Sequence, residues 1–339
     1  MVVRTFFAYH RNTEEDVVIK LIERGKTVSS TVREEILLHR SCYANPSFAR
    51  LRDIFLTENY LALVMDFVSG INLARKLRMD GPFREEDAKA IFWQLATAVE
   101  FLHRFGTKTS RDIHLDKVIL ETNIDKGSPM YKFSARGMHA VLQEFLYSHS
   151  SQVTSDPREA FKSLPYTPPE LLGDADAVVG RSIIFPSDVW RLGICLFKLV
   201  TGFFPFERPG DGPTSYRSVP VVISRIAKMD YEVPENLSET LKDLFKKIFI
   251  SEPNDRITIQ EILAHEWLQN ASIPTTVEDT QMATCTCPIA VEQIDKIVEI
   301  AAQHMSMANS KSIDDIADAV IDEEDSRDQI EELTLEHKS

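Results

Sequence analysis

The sequence predicts an α+β, two-lobed fold in which a small β-rich part precedes a larger helical part. Three observations carry this. Two compact apolar runs of strand character, Asp16–Ile22 and Tyr60–Asp66, fall within the first 66 residues, with one helical segment between them. From Glu85 onward the apolar residues change to three- and four-residue spacing: Ala88, Ile91, Phe92, Leu95, Val99 and Leu102. Ser69-Gly70 lies between the two patterns, where a hinge is expected.

Each element follows in order. Asp16-Val-Val-Ile-Lys-Leu-Ile22 is a strand carrying a single lysine. Thr31 to Arg40 is helical, and Asn45-Pro46 stops it. Tyr60-Leu-Ala-Leu-Val-Met-Asp66 reads as a second buried strand. Val189 to Val200 and Leu241 to Phe249 read as further apolar helices, and residues 138–165, polar and rich in Ser, as a long irregular loop. After Trp267 comes a Thr/Pro-containing linker over 269–288. Ile294, Ile297, Val298 and Ala301 then form one apolar stripe, a short amphipathic helix over 289–303 suited to a groove.

Charge and cysteine usage exclude several classes. The net charge is −14, and residues 312–339 hold eleven Asp/Glu against Arg327 and Lys338. The tail over 304–339 therefore reads as acidic and disordered. The remainder is close to −5, which argues against a general nucleic-acid binder. Cys42 and Cys195 sit in apolar helical surroundings and read as core thiols. Cys285-Thr-Cys287 has no second Cys/His pair nearby, so a zinc site is not expected. No apolar run approaches the roughly 18 residues of a membrane span, and no secretory segment opens the chain. A cytoplasmic or nuclear setting is expected, with no membrane and no nucleic acid as partner.

The chemistry-bearing residues are spaced along both parts. Val17-Val-Ile-Lys20 matches the strand whose lysine holds α/β-phosphates in phosphoryl-transfer enzymes of the V-A-I-K type. Glu35 on the next helix is its natural ion-pair partner, with Glu34 the competitor. Ser110-Arg-Asp-Ile-His-Leu-Asp-Lys117 resembles a catalytic loop of the H-R-D-L-x-x-x-N type, with Asp112 at the proton-acceptor position beside Arg111. The departures are chemical. Ser110 replaces the bracing histidine, His114 the lysine that steadies the γ-phosphate, and Lys117 the asparagine that binds Mg²⁺. Where a D-F-G element is expected stands Lys132-Phe-Ser-Ala-Arg-Gly137, so Ala135 replaces the metal-binding aspartate, and a methyl group cannot ligate a hard cation. Both protein ligands for Mg²⁺ are thus expected to be missing, although the Lys117 ammonium could allow metal-free nucleotide binding. The first glycine is Gly25, already past Lys20, and 19 residues before that lysine are too few for a complete glycine-rich phosphate lid. Pro169-Glu170, Asp188-Val-Trp190, Gly193, Pro205-Phe206, Asp255-Arg-Ile257 and His265-Glu-Trp267 match the helical lobe of the same enzymes, with Arg256 as the buried partner of Glu170.

With Ile22-Glu-Arg-Gly25, Glu35-Ile, His39-Arg-Ser41 and Leu61-Ala-Leu-Val-Met65 added, the chain resembles the plant sucrose-non-fermenting-related Ser/Thr protein kinases. Within them it is most similar to the subfamily that answers osmotic stress and abscisic acid, as a degenerate, pseudokinase-like member. The resemblance runs from about residue 3 to 303. It implies a bilobal protein-kinase fold: a truncated N-lobe over 1–65, a hinge over 66–70 and a C-lobe over 71–268, with its activation segment over 137–170. It also implies a regulatory-box helix at 289–303 that packs on the helix carrying Glu35, and a phosphatase-binding acidic tail. Met65 becomes the gatekeeper, and Asp66 to Gly70, Val68 among them, the adenine-side hinge. Ser148, Ser150, Ser151, Thr154, Ser155 and Ser163 become possible phosphorylation sites, with Arg111 as receiver.

Three readings follow. The first is an ATP-poor pseudokinase that binds family kinases, their substrates or a protein phosphatase. The second is a working Ser/Thr kinase with atypical Mg binding, and the third is a non-functional truncated gene product. The first is expected, because positioning and metal electrostatics supply most of phosphoryl-transfer catalysis.

Overall fold

The computed structural model describes residues 3–10, 13–25, 28, 30–104, 113–122, 138–142, 164–172, 181–208, 219–269 and 286–303. They fall into two compact units, Met1–Val68 with Val277–Ser339, and Ser69–Thr276.

The first unit is a four-stranded antiparallel sheet with helices on it. Strands β1 (Val3–His10), β2 (Glu15–Glu23), β3 (Leu51–Leu56) and β4 (Tyr60–Asp66) lie in the order β1-β2-β4-β3. Alternation sorts β2 onto two faces, both buried. Val17, Ile19 and Leu21 join Ala62 and Val64, with Phe6, Ala8, Phe55 and Tyr60 around them. Val18, Lys20 and Ile22 occupy the other face.

Helix α1 (Ser30–Ser41) follows β2 and buries Val32, Ile36, Leu38 and His39. A C-terminal helix, Val291–Gln303, packs on α1, β3 and β4 through Ile294, Ile297, Val298 and Ala301. Its register is fixed by polar contacts at both ends. Arg40 Nε donates to Ile289 O at 2.6 Å, and Arg33 Nε meets Asp295 Oδ1 at 2.7 Å. At the C-terminal end, where helical carbonyls lack intrahelical donors, the Gly25 N–H donates to Ala301 O at 2.7 Å and Arg24 Nη2 to Ile300 O at 3.5 Å.

The second unit is mainly helical. Strand β5 (Gly70–Asn72) leads into α2 (Leu73–Asp80), whose N-terminus is capped by the Asn72 side chain. Helix α3 (Glu85–Arg104) buries the six apolar residues whose spacing predicts it. A 3₁₀ turn, Leu115–Lys117, precedes β6 (Val118–Thr122).

The structure corrects one expectation here. Residues 138–165 read from sequence as wholly irregular, yet Met138–Leu142 forms strand β7. It pairs antiparallel with β6 from Val118↔Leu142 to Thr122↔Met138. The strand is set by its long-range partner rather than by its own five residues. The three strands lie in the order β5-β6-β7.

Helices α4 (Arg181–Thr201), α5 (Val219–Lys228), α6 (Glu239–Ile248) and α7 (Ile259–Leu263) complete the unit. The centre is aromatic: Trp190 stacks on Phe206 at 5.5 Å and meets Phe249 edge-on at 5.2 Å. Gly193 lets α4 approach α6, since a Cβ there would lie 2.3 Å from Ile248 Cγ2. Among the described residues no helix is long and apolar enough to cross a membrane.

Candidate functional site

The residues singled out by sequence are divided between the two units. In the first, Lys20 lies mid-strand on β2, paired by register with Thr5 and Leu63, and is only 1% exposed. A solvated edge lysine would not be buried in this way, because a buried ammonium requires compensating partners. Of the two candidate glutamates on α1, Glu34 faces solvent whereas Glu35 is half-buried. Glu35, the residue favoured by spacing, is thus the less exposed of the two.

His39, one turn further along α1, donates through Nε2 to Ala49 O at 2.5 Å. Burial pulls its pKa down to about 4; the bond to Ala49 opposes this and the nearby Lys20 charge adds to it.

Met65 is buried at the end of β4. The next residue, Asp66, is committed to the sheet. Its carboxylate receives Arg50 Nε at 2.6 Å and also Arg52 Nε, and its N–H donates to Arg50 O at 3.0 Å. Phe67 follows in edge contact with Phe7 at 5.5 Å, and Val68 is half-buried. The Asp66 side chain thus braces the strand pair.

In the second unit, Ser110, Arg111 and Asp112 lie outside the described residues, as do Ala135 and the Ser/Thr residues of 148–163. The rest of the loop is held from three sides. Cys195 Sγ on α4 lies 3.9 Å from Ile113 O, and Asn72 Nδ2 donates to Asp116 O at 2.5 Å. The His114 ring stacks on Tyr166, with centroids 4.0 Å and planes 22° apart. Tyr166 is buried, which pushes its phenol well above the ordinary value. His114 is therefore turned toward the Leu164–Tyr166 turn.

Two deep polar groups brace the helical unit. Asp188 receives His103 Nε2 at 3.1 Å and lies 3.8 Å from Arg191 Nη1. Glu170 and Arg256 form a bidentate pair at 2.9 Å on both arms. Ser187 Oγ also donates to Glu170 at 3.0 Å, and Arg256 donates onward to Pro186 O and Ile250 O.

Sequence reasoning missed Tyr166, His103 and Arg191. Arg191 carried a signal: a cation inside the apolar run Trp190-Arg-Leu192 has to be placed somewhere deliberate.

Among the described residues no three His, Cys, Asp or Glu side chains converge as a metal-ligand set. Lys117, which ends the 3₁₀ turn with its N–H bonded to His114 O at 3.0 Å, offers only N–H donors.

Comparison with known proteins agrees with the fold. The protein kinase domain family matches residues 2–268. The rice (Oryza sativa subsp. indica) serine/threonine-protein kinase SAPK3 is 31% identical over 327 residues, covering 93% of this chain and 90% of its own length. Rice SAPK2 is 32% identical over 334 residues, covering 93% and 91%. Arabidopsis thaliana SRK2F is 29% identical over 322 residues, covering 92% and 85%. The chain therefore belongs to the protein kinase family, among the plant sucrose-non-fermenting-related serine/threonine kinases.

Proposed function

We propose that this chain is a pseudokinase: a folded kinase-family regulator that binds other proteins and transfers little or no phosphate. The observation that carries the reading is Lys117, an ammonium closing the turn where kinases place a metal-binding amide. His114 supports it, since its ring is engaged with Tyr166. The partners proposed are family kinases, their substrates, or a protein phosphatase engaged by the acidic tail 312–339, in the cytoplasm or nucleus.

A second reading is favoured by one observation. β7 ends at Leu142, and the sequence continues Gln143-Glu144-Phe145. An acidic residue followed by phenylalanine just beyond a strand is an alternative to Ala135 for the metal-ligand position, and would suit a working kinase with a glutamate ligand. The argument from Lys117 applies to either assignment.

Binding separates the two readings. A pseudokinase engages a purified relative such as SAPK3 with unchanged affinity after Asp112→Asn, measured by calorimetry. If association instead requires Mg²⁺, ATP and an intact Asp112, the scaffold reading fails. Loss of phosphatase binding on deleting 312–339 supports the tail assignment, and unaltered binding removes it.

A further inference from the structure

Among the described residues, strand β1 pairs with β2 alone and forms one edge of the β1-β2-β4-β3 sheet. An edge strand offers a row of backbone donors and acceptors to any strand that can lie beside it. Folds blunt such rows with charges, proline, bulges or a covering element. The opposite edge has these devices: β3 carries Arg52 and Asp53, shifts register between Leu51 and Asp53, and is packed by the C-terminal helix Val291–Gln303. β1 is built differently. Its eight residues include no proline, glycine, lysine or carboxylate, and its register with β2 runs unbroken from Val3↔Ile22 to His10↔Glu15. It is apolar on both faces. Phe6 and Ala8 pack on the core, while Phe7 is 78% and Tyr9 55% exposed on the other side, with Phe67 in edge contact with Phe7.

The strand is also complementary to itself. When two copies pair antiparallel with their cores on the same side, residues of one face stand opposite residues of the same face. The two-fold axis therefore passes through a residue and not between two. An axis through Phe7 sets Phe7 against Phe7 and Thr5 against Tyr9 on the exposed face, and Phe6 against Ala8 on the core face. Phe67 and Phe7 of each copy then form a row of four rings, and none of these pairs contains a charged side chain to oppose the contact. We infer that this edge is a homodimer interface, at which β1 of a second copy adds to β1 and two four-stranded sheets become one of eight strands. Backbone hydrogen bonds and directly opposed aromatic pairs supply the contact. The seam is one strand wide, so the dimer is reversible and concentration-dependent. The inference is independent of whether phosphate is transferred.

Sedimentation velocity on the full chain over a concentration series tests it, with cysteine cross-linking to read the register. The expected result is a monomer–dimer equilibrium that Phe7→Lys weakens about tenfold or more, because like charges then face each other on the axis. Tyr9→Lys weakens it as well. Phe203→Lys, at a ring 64% exposed in the other unit, leaves it unchanged. Circular dichroism shows that each variant is folded. Directly opposed Cα atoms in an antiparallel pair lie about 4.5–5.5 Å apart, within reach of a disulfide. In a Cys285→Ser, Cys287→Ser background, Phe7→Cys therefore cross-links to itself under mild oxidation. Thr5→Cys cross-links to Tyr9→Cys in a mixture but not to itself. A chain that stays monomeric across the series, a dimer that survives in folded Phe7→Lys, or Thr5→Cys cross-linking to itself where Phe7→Cys does not, each overturns the inference. Capture of another protein's strand on β1 by a chain that remains monomeric overturns it too.

Discussion

His114 and Tyr166 lie 52 positions apart in sequence and stack ring on ring at 4.0 Å, joining the start of the Leu115–Lys117 turn to the Leu164–Tyr166 turn. This stack makes His114 a packing residue. His114→Ala is expected to cost about 0.5–1.5 kcal/mol, the typical value of an aromatic pair beyond its area burial. Urea denaturation checks it, and His114→Phe should recover most of the loss.

The Glu170–Arg256 pair makes a larger prediction. The Arg256 side chain is fully buried and satisfies Glu170, Pro186 O and Ile250 O together. Removing one partner strands the other charge. Glu170→Ala should therefore destabilise the helical unit by about 3–5 kcal/mol. Arg256→Lys should also destabilise it, because an ammonium cannot reproduce the planar fork. The denaturation midpoints of the two variants provide the check.

Docking of the C-terminal helix should depend on its apolar stripe and hardly at all on its visible ion pair. Arg33 and Asp295 are each about two-fifths exposed, so Asp295→Ala should leave stability indistinguishable from wild type. Ile297 is completely buried, and Ile297→Ala should cost about 2–5 kcal/mol. Hydrogen exchange along α1 should rise in the second variant only.

His39 gives the fold a defined acid sensitivity. Its folded pKa is about 4 against an ordinary 6.5, so the unfolded chain takes up the proton first. Stability from the neutral imidazole is present above pH 6.5 and is lost as the pH falls from there toward 4. The slope approaches about 1.4 kcal/mol per pH unit within that window. His39→Gln should flatten the pH dependence of the urea midpoint between those values; an unchanged slope would contradict the assignment.

Much of this architecture is legible in the sequence, because its signals are local and periodic. Asp16–Ile22, Tyr60–Asp66 and the stripe at Ile294, Ile297, Val298 and Ala301 each state their element within a few residues. Glu170 and Arg256 are legible only through family resemblance, since 86 positions separate them. The strand Met138–Leu142 is not legible, because five residues without alternation become a strand only when β6 lies alongside. The stack of His114 on Tyr166 is hidden for a related reason: it depends on where two loops are brought by α4 and its neighbours, not on either loop's own residues. Glu35 falls between these cases: the spacing favours it over Glu34, and it is the less exposed of the two.

The central claim meets its most direct test in the transfer of γ-phosphate from ATP to a general Ser/Thr acceptor protein, with and without Mg²⁺, by wild type and Asp112→Asn. Equal, background-level transfer by both proteins under both conditions is predicted. Transfer by the wild type that depends on Mg²⁺ and disappears in Asp112→Asn would contradict the pseudokinase assignment.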